Sequence, residues 1–282
     1  NEDYILILEN GKRLAGEDRY TRINVANIKR IEILNGAASA LYGSDAIGGV
    51  INIITDDARN TVNVSSYTHY SGEGRLTESV NADVNAGKFS SYTSYQRRQA
   101  GSWQNNNSDE NGYETGRPTS VGFYSNTVNQ RFVFNATDKL SFYARGTYYD
   151  NKTRRPQDAT YYAKSKGQFV QKDAYTYNLR HETYTYGAGM KYMINRSAYI
   201  DAEFYSDNFS SDYMYFKKSG SYLPGDQVTR KQVRYYNGNI KGIFRLGNRN
   251  KLSAGVEYVN EGLKSESDNI ATRHMYTLAF YA

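Results

Sequence analysis

From Arg59 to the end of the chain, polar and apolar residues alternate with a period of two, and the patterned segments are joined by connections that are alternately short and long. In Lys139–Tyr149, Leu140, Phe142, Ala144, Gly146 and Tyr148 share one face, while Ser141, Tyr143, Arg145, Thr147 and Tyr149 share the other. The same alternation sets Ile200, Ala202 and Phe204 against Tyr199, Asp201, Glu203 and Tyr205, and Leu252, Ala254, Val256 and Tyr258 against Ser253, Gly255 and Glu257. Faces alone suit a soluble β-sandwich and a membrane barrel equally. The connections discriminate. Short turns fit at Asn85–Lys88, Ala136–Lys139, Ile194–Ser197 and Gly247–Asn250, and long polar stretches lie at 101–127, 151–178 and 210–230. Short turns at one rim and long loops at the other are the rule of outer-membrane barrels. About ten strands are predicted, at 60–71, 75–85, 88–99, 128–136, 139–150, 182–193, 197–209, 231–246, 250–263 and 273–282. The pattern still runs at Ala279–Ala282, and ten strands leave little room for an enclosed domain, so the sequence is expected to be part of a larger barrel.

Composition agrees with strands at a boundary between lipid and water. Tyr, with an apolar ring and a hydrogen-bonding tip, occurs 29 times against one Trp, and 24 Gly accompany only three Pro. No run approaches the roughly 18 apolar residues of a membrane helix, so any span must be built from strands. There is no Cys, which excludes disulfides and thiolate metal sites. The net charge of +6 is scattered without a dense basic block, which argues against nucleic acid as a partner.

Residues 1–57 differ. Tyr4–Leu8, Ile28–Leu34 and Gly48–Ile54 are apolar-rich runs that predict the strands of a small α/β-like or mixed unit, with the boundary at Asp56–Arg59. The densest local signal is Ile31–Thr55, which contains Gly36, Tyr42-Gly43 and Gly48-Gly49 ahead of the run Val50–Ile54. Gly43, Gly48 and Gly49 lack the bulk that would prevent close backbone packing. The spacing from Gly36 to Gly43 lacks the Gly-Lys-Ser/Thr ending of a phosphate loop.

Ile31–Thr55 closely resembles the end of the plug domain in TonB-dependent outer-membrane receptors, in the branch of cobalamin, haem and catecholate-siderophore receptors. Ile5–Leu14 resembles the preceding plug strand and turn, with Asn10 where the family commonly has Asp. The usual Arg-Gly-Pro is Asn35-Gly36-Ala37 here, which leaves open the wall contact that the family's Arg makes. The resemblance implies a mainly β protein. Residues 1–57 would be the C-terminal half of a plug, and 58–282 the N-terminal part of a transmembrane antiparallel β-barrel of about 22 strands when complete.

The resemblance further implies a receptor in the cell outer membrane that imports a scarce iron complex, haem or siderophore, into the periplasm. The inner-membrane TonB complex would drive it by gripping a segment upstream of residue 1. Its other partners would be outer-membrane lipid and a small metal chelate, and it would have no catalytic residues, resident cofactor or metal. A cobalamin importer of the same family is the nearest alternative. A passive porin or a surface adhesin, which would have no use for a plug, is the alternative from another class, and a soluble β-rich binding module is a second. Gly36, Tyr42, Gly43, Gly48 and Gly49 are expected to pack the plug in the barrel. Glu17, Asp18, Arg19 and Tyr20 match the plug's apical loop and are expected to touch ligand. His69, His181 and His274 are isolated in sequence, with His181 read as a solvated loop residue. Asp109 and Glu110 are two adjacent carboxylates, too few to predict a calcium site.

Overall fold

The computed structural model describes residues 5–35, 46–55, 61–72, 74–104, 120–156, 161–165, 168–172, 175–217, 226–246, 250–266 and 268–281. The first unit is a four-stranded mixed sheet in the order β2-β1-β4-β3, made of β1 (Ile5–Glu9), β2 (Lys12–Arg13), β3 (Ile28–Asn35) and β4 (Gly49–Thr55). A 3-10 turn lies at Val25–Asn27. The central pair β1 and β4 runs parallel. Strands covered on both faces read as apolar runs, and each face here has its own cluster. Leu6, Leu8, Ala46 and Val50 pack together in one, and Ile7, Leu14, Ile23 and Ile53 in the other. Each large apolar side chain buried in this way stabilises the fold by about 1.5–3 kcal/mol.

The second unit is a ten-stranded antiparallel meander. It begins with β5 (Val62–Ser71), β6 (Arg75–Ala86), β7 (Phe89–Gln104), β8 (Ser120–Asn135) and β9 (Leu140–Pro156). A separate hairpin of β10 (Tyr161–Ser165) and β11 (Gln168–Lys172) stands in the following connection. The meander then resumes with β12 (Tyr175–Asn195), β13 (Ala198–Lys217), β14 (Asp226–Leu246), β15 (Asn250–Ser265) and β16 (Ile270–Tyr281). Strands β12, β13 and β14 run to 21, 20 and 21 residues, beyond the roughly 9–11 that cross a bilayer. They and their neighbours therefore continue into the predicted long connections: 120–127, 151–156, 175–178, 210–217 and 226–230 are strand. Short turns lie where expected at Gly87-Lys88, 136–139 and Arg196-Ser197, with Gly87 at φ +60. The turn at 247–249 lies outside the described residues.

Register gives each face of the meander one character. Phe134, Phe142, Met190 and Ala202 are consecutive partners across β8, β9, β12 and β13, and Ile240 and Val256 continue the row on β14 and β15. Phe134, Phe142, Phe204, Ile240, Leu252 and Val256 are all exposed on that face, and Ile200 is half-buried. The opposite face carries Ser94, Gln96, Thr183, Thr185 and Asp207, all buried. This arrangement is inverted relative to a soluble sheet, as a barrel wall requires when lipid lies outside and a folded domain inside.

Candidate functional site

The two units meet through Lys12–Asn27, the segment between β1 and β3. Polar wall side chains are buried there because the plug excludes water, and several of them find partners on the segment. Running from the C-terminal end, Asn27 Nδ2 donates to Ser94 Oγ at 2.6 Å, and Tyr92 OH donates to Asn27 Oδ1 at 2.8 Å. Asn24 caps the 3-10 turn, its Oδ1 accepting from Ala26 N–H at 3.0 Å. The same side chain reaches the wall, donating to Ser79 Oγ at 2.9 Å and accepting from Gln96 Nε2 at 2.8 Å.

At the centre Asp207 on β13 is completely buried and receives two parts of the segment. Ala15 N–H donates to its Oδ2 at 2.6 Å, and Arg22 Nη2 donates to the same oxygen at 2.7 Å. Thr185 Oγ1 donates to Oδ1 at 2.6 Å, and Arg22 Nη1 also donates to Thr183 Oγ1 at 3.2 Å. Arg22 is 3% exposed. Removing one member of such a buried pair costs about 3–5 kcal/mol, because the other charge is left without compensation.

Between Ala15 and Arg22 lies the loop singled out in the sequence. Asp18, at φ +56, accepts at Oδ2 from Tyr149 OH and Asn151 Nδ2, both at 3.0 Å, and lies 2.6 Å from His181 Nδ1. Burial alone would raise its carboxyl pKa, but the hydrogen bond and charge of His181, with the bonds from Asn151 and Tyr149, hold it below the ordinary value. His181 is thus no solvated loop residue: it is 4% exposed on β12, with its ring 5.2 Å from that of Phe209. A plug carboxylate and an aromatic neighbour enclose a position that strand patterning alone leaves open to water. Gly16, at φ +71, lies directly on Phe209, where an added Cβ would overlap the ring at Cγ and Cδ1. Glu17 is exposed and reaches Lys231 at 3.4 Å, and Arg19 Nε donates to Gly16 O at 2.8 Å. Tyr20 is 38% exposed. Toward the N-terminal end, Lys12 pairs with Glu203 and Arg13 with Glu261, and Tyr205 OH donates to Arg13 O at 3.1 Å.

The structure therefore divides the four loop residues. Asp18 faces β9 and β12, whereas Glu17 and Arg19 line a cavity of about 560 Å³ between the plug and β14–β16, on the half of the wall nearer the long connections. Arg13, Lys231, Arg234 and Arg273 also line it, so five basic residues outnumber the two acidic ones, Glu17 and Glu261. Of the predicted packing glycines, Gly49 is buried at the start of β4 with φ +131, paired with Ile5 and Asn35, and Gly48 is exposed. Gly36, Tyr42, Gly43, Asp109 and Glu110 lie outside the described residues. His69 and His274 stand on β5 and β16, each stacked near a tyrosine. Among the described residues no group of three or more His, Asp or Glu is arranged to hold a metal. Sequence reasoning passed over Arg22, Asn24, Asn27, Asp207 and Phe209. The one available signal was the run of small polar residues on the face opposite the apolar one, which marks a wall but not its contacts.

Residues 1–50 match the family model described as TonB-dependent Receptor Plug Domain. The fold is similar to a point mutant of the ferric enterobactin receptor from Pseudomonas aeruginosa, with a TM-score of 0.69 and 16% identity, over 93% of this chain and 41% of that one. It is likewise similar to the siderophore receptor PirA from Acinetobacter baumannii, with a TM-score of 0.63 and 17% identity, over 93% of this chain and 41% of that one. A copper transporter, OprC, matches with a TM-score of 0.58 and 13% identity over 98% of this chain and 51% of that one. The chain spans about two fifths of the length of the first two structures. The fold is that of outer-membrane β-barrel receptors.

Proposed function

We propose that this chain, a TonB-dependent receptor by its plug domain and the barrel fold around it, belongs to an importer of an anionic iron chelate, a siderophore complex or haem. The single observation that carries the substrate reading is the basic cavity beside Glu17 and Arg19, on the half of the lumen nearer the long connections. An excess of cations there favours ligands bearing carboxylate or catecholate oxygens, and Arg can engage a carboxylate through paired hydrogen bonds. Solved structures of similar fold are named as siderophore receptors, which agrees with this class. Cobalamin lacks a comparable set of anionic groups and is the poorer fit.

In this reading Arg19 and Tyr20 belong to the ligand-contacting surface with Glu17, and Asp18 holds the loop against the wall. Gly36, Tyr42, Gly43, Gly48 and Gly49 permit the plug to seat closely. The TonB complex, acting upstream of residue 1, supplies the pull that clears a path. The test uses the full-length receptor in cells lacking other iron receptors, offered radiolabelled iron as a ferric catecholate, a ferric carboxylate chelate or haem, and labelled cobalamin separately. Uptake of one iron complex that stops when the proton gradient is collapsed is the expected result. Uptake of cobalamin alone overturns the substrate class, and uptake that ignores the gradient identifies a passive pore.

A further inference from the structure

We infer that Asp207 is the positioning residue of the candidate binding loop: one buried wall carboxylate fastens both ends of Ala15–Arg22 and so sets the pose of Glu17 and Arg19 in the cavity. This inference rests on the reading of that loop as a ligand-contacting surface. Asp207 does not line the cavity and touches no ligand in this scheme; it acts through the loop.

The geometry is that of a closed noose. Ala15 N–H and Arg22 Nη2 both converge on Asp207 Oδ2, at 2.6 and 2.7 Å, from opposite ends of the loop. A free loop of this length would sample many conformations, and joining its ends to one atom removes most of them before ligand arrives. Pre-ordering a binding loop in this way raises affinity by cutting the entropy lost on association. The carboxylate is itself fixed, with no exposure to water and with Thr185 Oγ1 donating to its other oxygen at 2.6 Å. Aspartate suits the position because an acceptor with two oxygens can take a backbone N–H, a guanidinium and a hydroxyl together. Its neutral isostere, Asn, keeps the shape but loses the charge and exchanges one acceptor for a donor.

Charges around the noose agree with this role. From the plug, only Arg22 among the described ion pairs meets Asp207. The neighbouring Asp18 is engaged elsewhere, with His181, Tyr149 and Asn151, and Glu17 faces His181 and Lys231. The loop tip is thus tied to β9 and β12 while its base is tied to β13, and the side facing the cavity is left to Ala15, Gly16, Glu17 and Arg19.

The test is made on full-length receptor in lipid. Residues 1–282 have no cysteine, and any cysteine elsewhere in the receptor is replaced by serine, so a nitroxide on a cysteine placed at Glu17 reports the loop, and one at Lys29 on β3 reports the plug sheet. Asp207→Asn is expected to mobilise the Glu17 label and leave the Lys29 label unchanged. Arg22→Met should do the same from the plug side without altering the barrel, which keeps the test valid if Asp207→Asn impairs barrel assembly. Asp207→Glu, which retains the charge at a longer reach, should restore part of the immobility. Binding of ferric enterobactin, used as a defined anionic probe, should weaken by about 10–100-fold in Asp207→Asn, the equivalent of one lost charge-assisted contact. An unchanged Glu17 label in both variants overturns the inference, as does equal loosening of Lys29, which would make Asp207 a general support of the plug. A mobilised loop with undiminished probe binding upholds the noose and overturns the binding role given to the loop.

Discussion

Gly16→Ala isolates how tightly the loop is seated. The added methyl faces two separate penalties. Gly16 has φ +71, a region that costs an L-residue about 1–2 kcal/mol. The new Cβ would also overlap Phe209 Cγ and Cδ1 and lie 2.7 Å from its Cβ, far inside van der Waals contact. Phe209 cannot swing aside freely, since it is 2% exposed and has the His181 ring 5.2 Å away. Overpacking of this kind costs about 1–3 kcal/mol. Together the loop should lose about 2–5 kcal/mol of local stability, or roughly 30-fold to a few thousand-fold in its opening equilibrium.

Amide hydrogen exchange over Ala15–Asn27 in the full-length receptor measures that opening directly. The double variant Gly16→Ala/Phe209→Ala separates the two penalties, because removing the ring relieves the overlap and leaves the backbone strain. A coupling of about 1–3 kcal/mol in favour of the double variant is expected. Unchanged protection in Gly16→Ala, or no coupling with Phe209, would refute close seating of the loop against β13.

Gly49→Leu should impair import far more than surface display, because Gly49 is buried at φ +131 between β1 and β3 while the wall can assemble without it; equal transport counts against tight plug packing. Spin labels at Phe142, Phe204, Leu252 and Val256 should report lipid, and labels at Asp201 and Glu203 should not; the reverse pattern would shift every strand by one residue. A folded-state pKa held below the ordinary 3.8 means that Asp18 contributes its stability above that value and loses it as pH falls further. A label at Tyr20 should therefore keep its mobility from pH 7 to 5 and loosen only below about pH 4. Loosening between pH 7 and 5 would overturn the assignment of this stability to Asp18.

The wall was legible in the sequence because lipid imposes contrast: Leu140, Phe142 and Ala144 are read against Ser141, Tyr143 and Arg145 without knowledge of what lies inside. Strand ends were misread for the complementary reason. At Asn178–His181 and Ser210–Asp212 the two faces are both largely polar, so the strands continue but the alternation fades. The contacts of the plug were hidden for a third reason. Arg22 and Asp207 are 185 residues apart, and each reads as a solvated charge until the other domain removes the water.

That concealment follows from how the two domains are joined. Within the plug sheet the contacts are apolar, with Ile7, Leu14, Ile23 and Ile53 packed in one cluster. Between plug and wall the described contacts are mostly hydrogen bonds and ion pairs, from Asn27 and Ser94 at one end to Arg13 and Glu261 at the other. An apolar interface of that extent would expose its area to water on release, at about 25 cal/mol per Å². A polar one exchanges each partner for water, with a net loss of about 0.5–1.5 kcal/mol per ordinary hydrogen bond. A plug that is to leave the wall during import is better seated by such contacts, provided water enters as it moves. The Arg22–Asp207 pair is the exception in strength, since separation without water would leave two buried charges. It follows that the segment around Asp207 should be the last part of this interface to detach. Hydrogen exchange of Ala15–Arg22 in the ligand-bound receptor should then be slower than that of Asn24–Asn27, which neutral hydrogen bonds seat on the wall, and faster exchange of the loop would overturn this order of release.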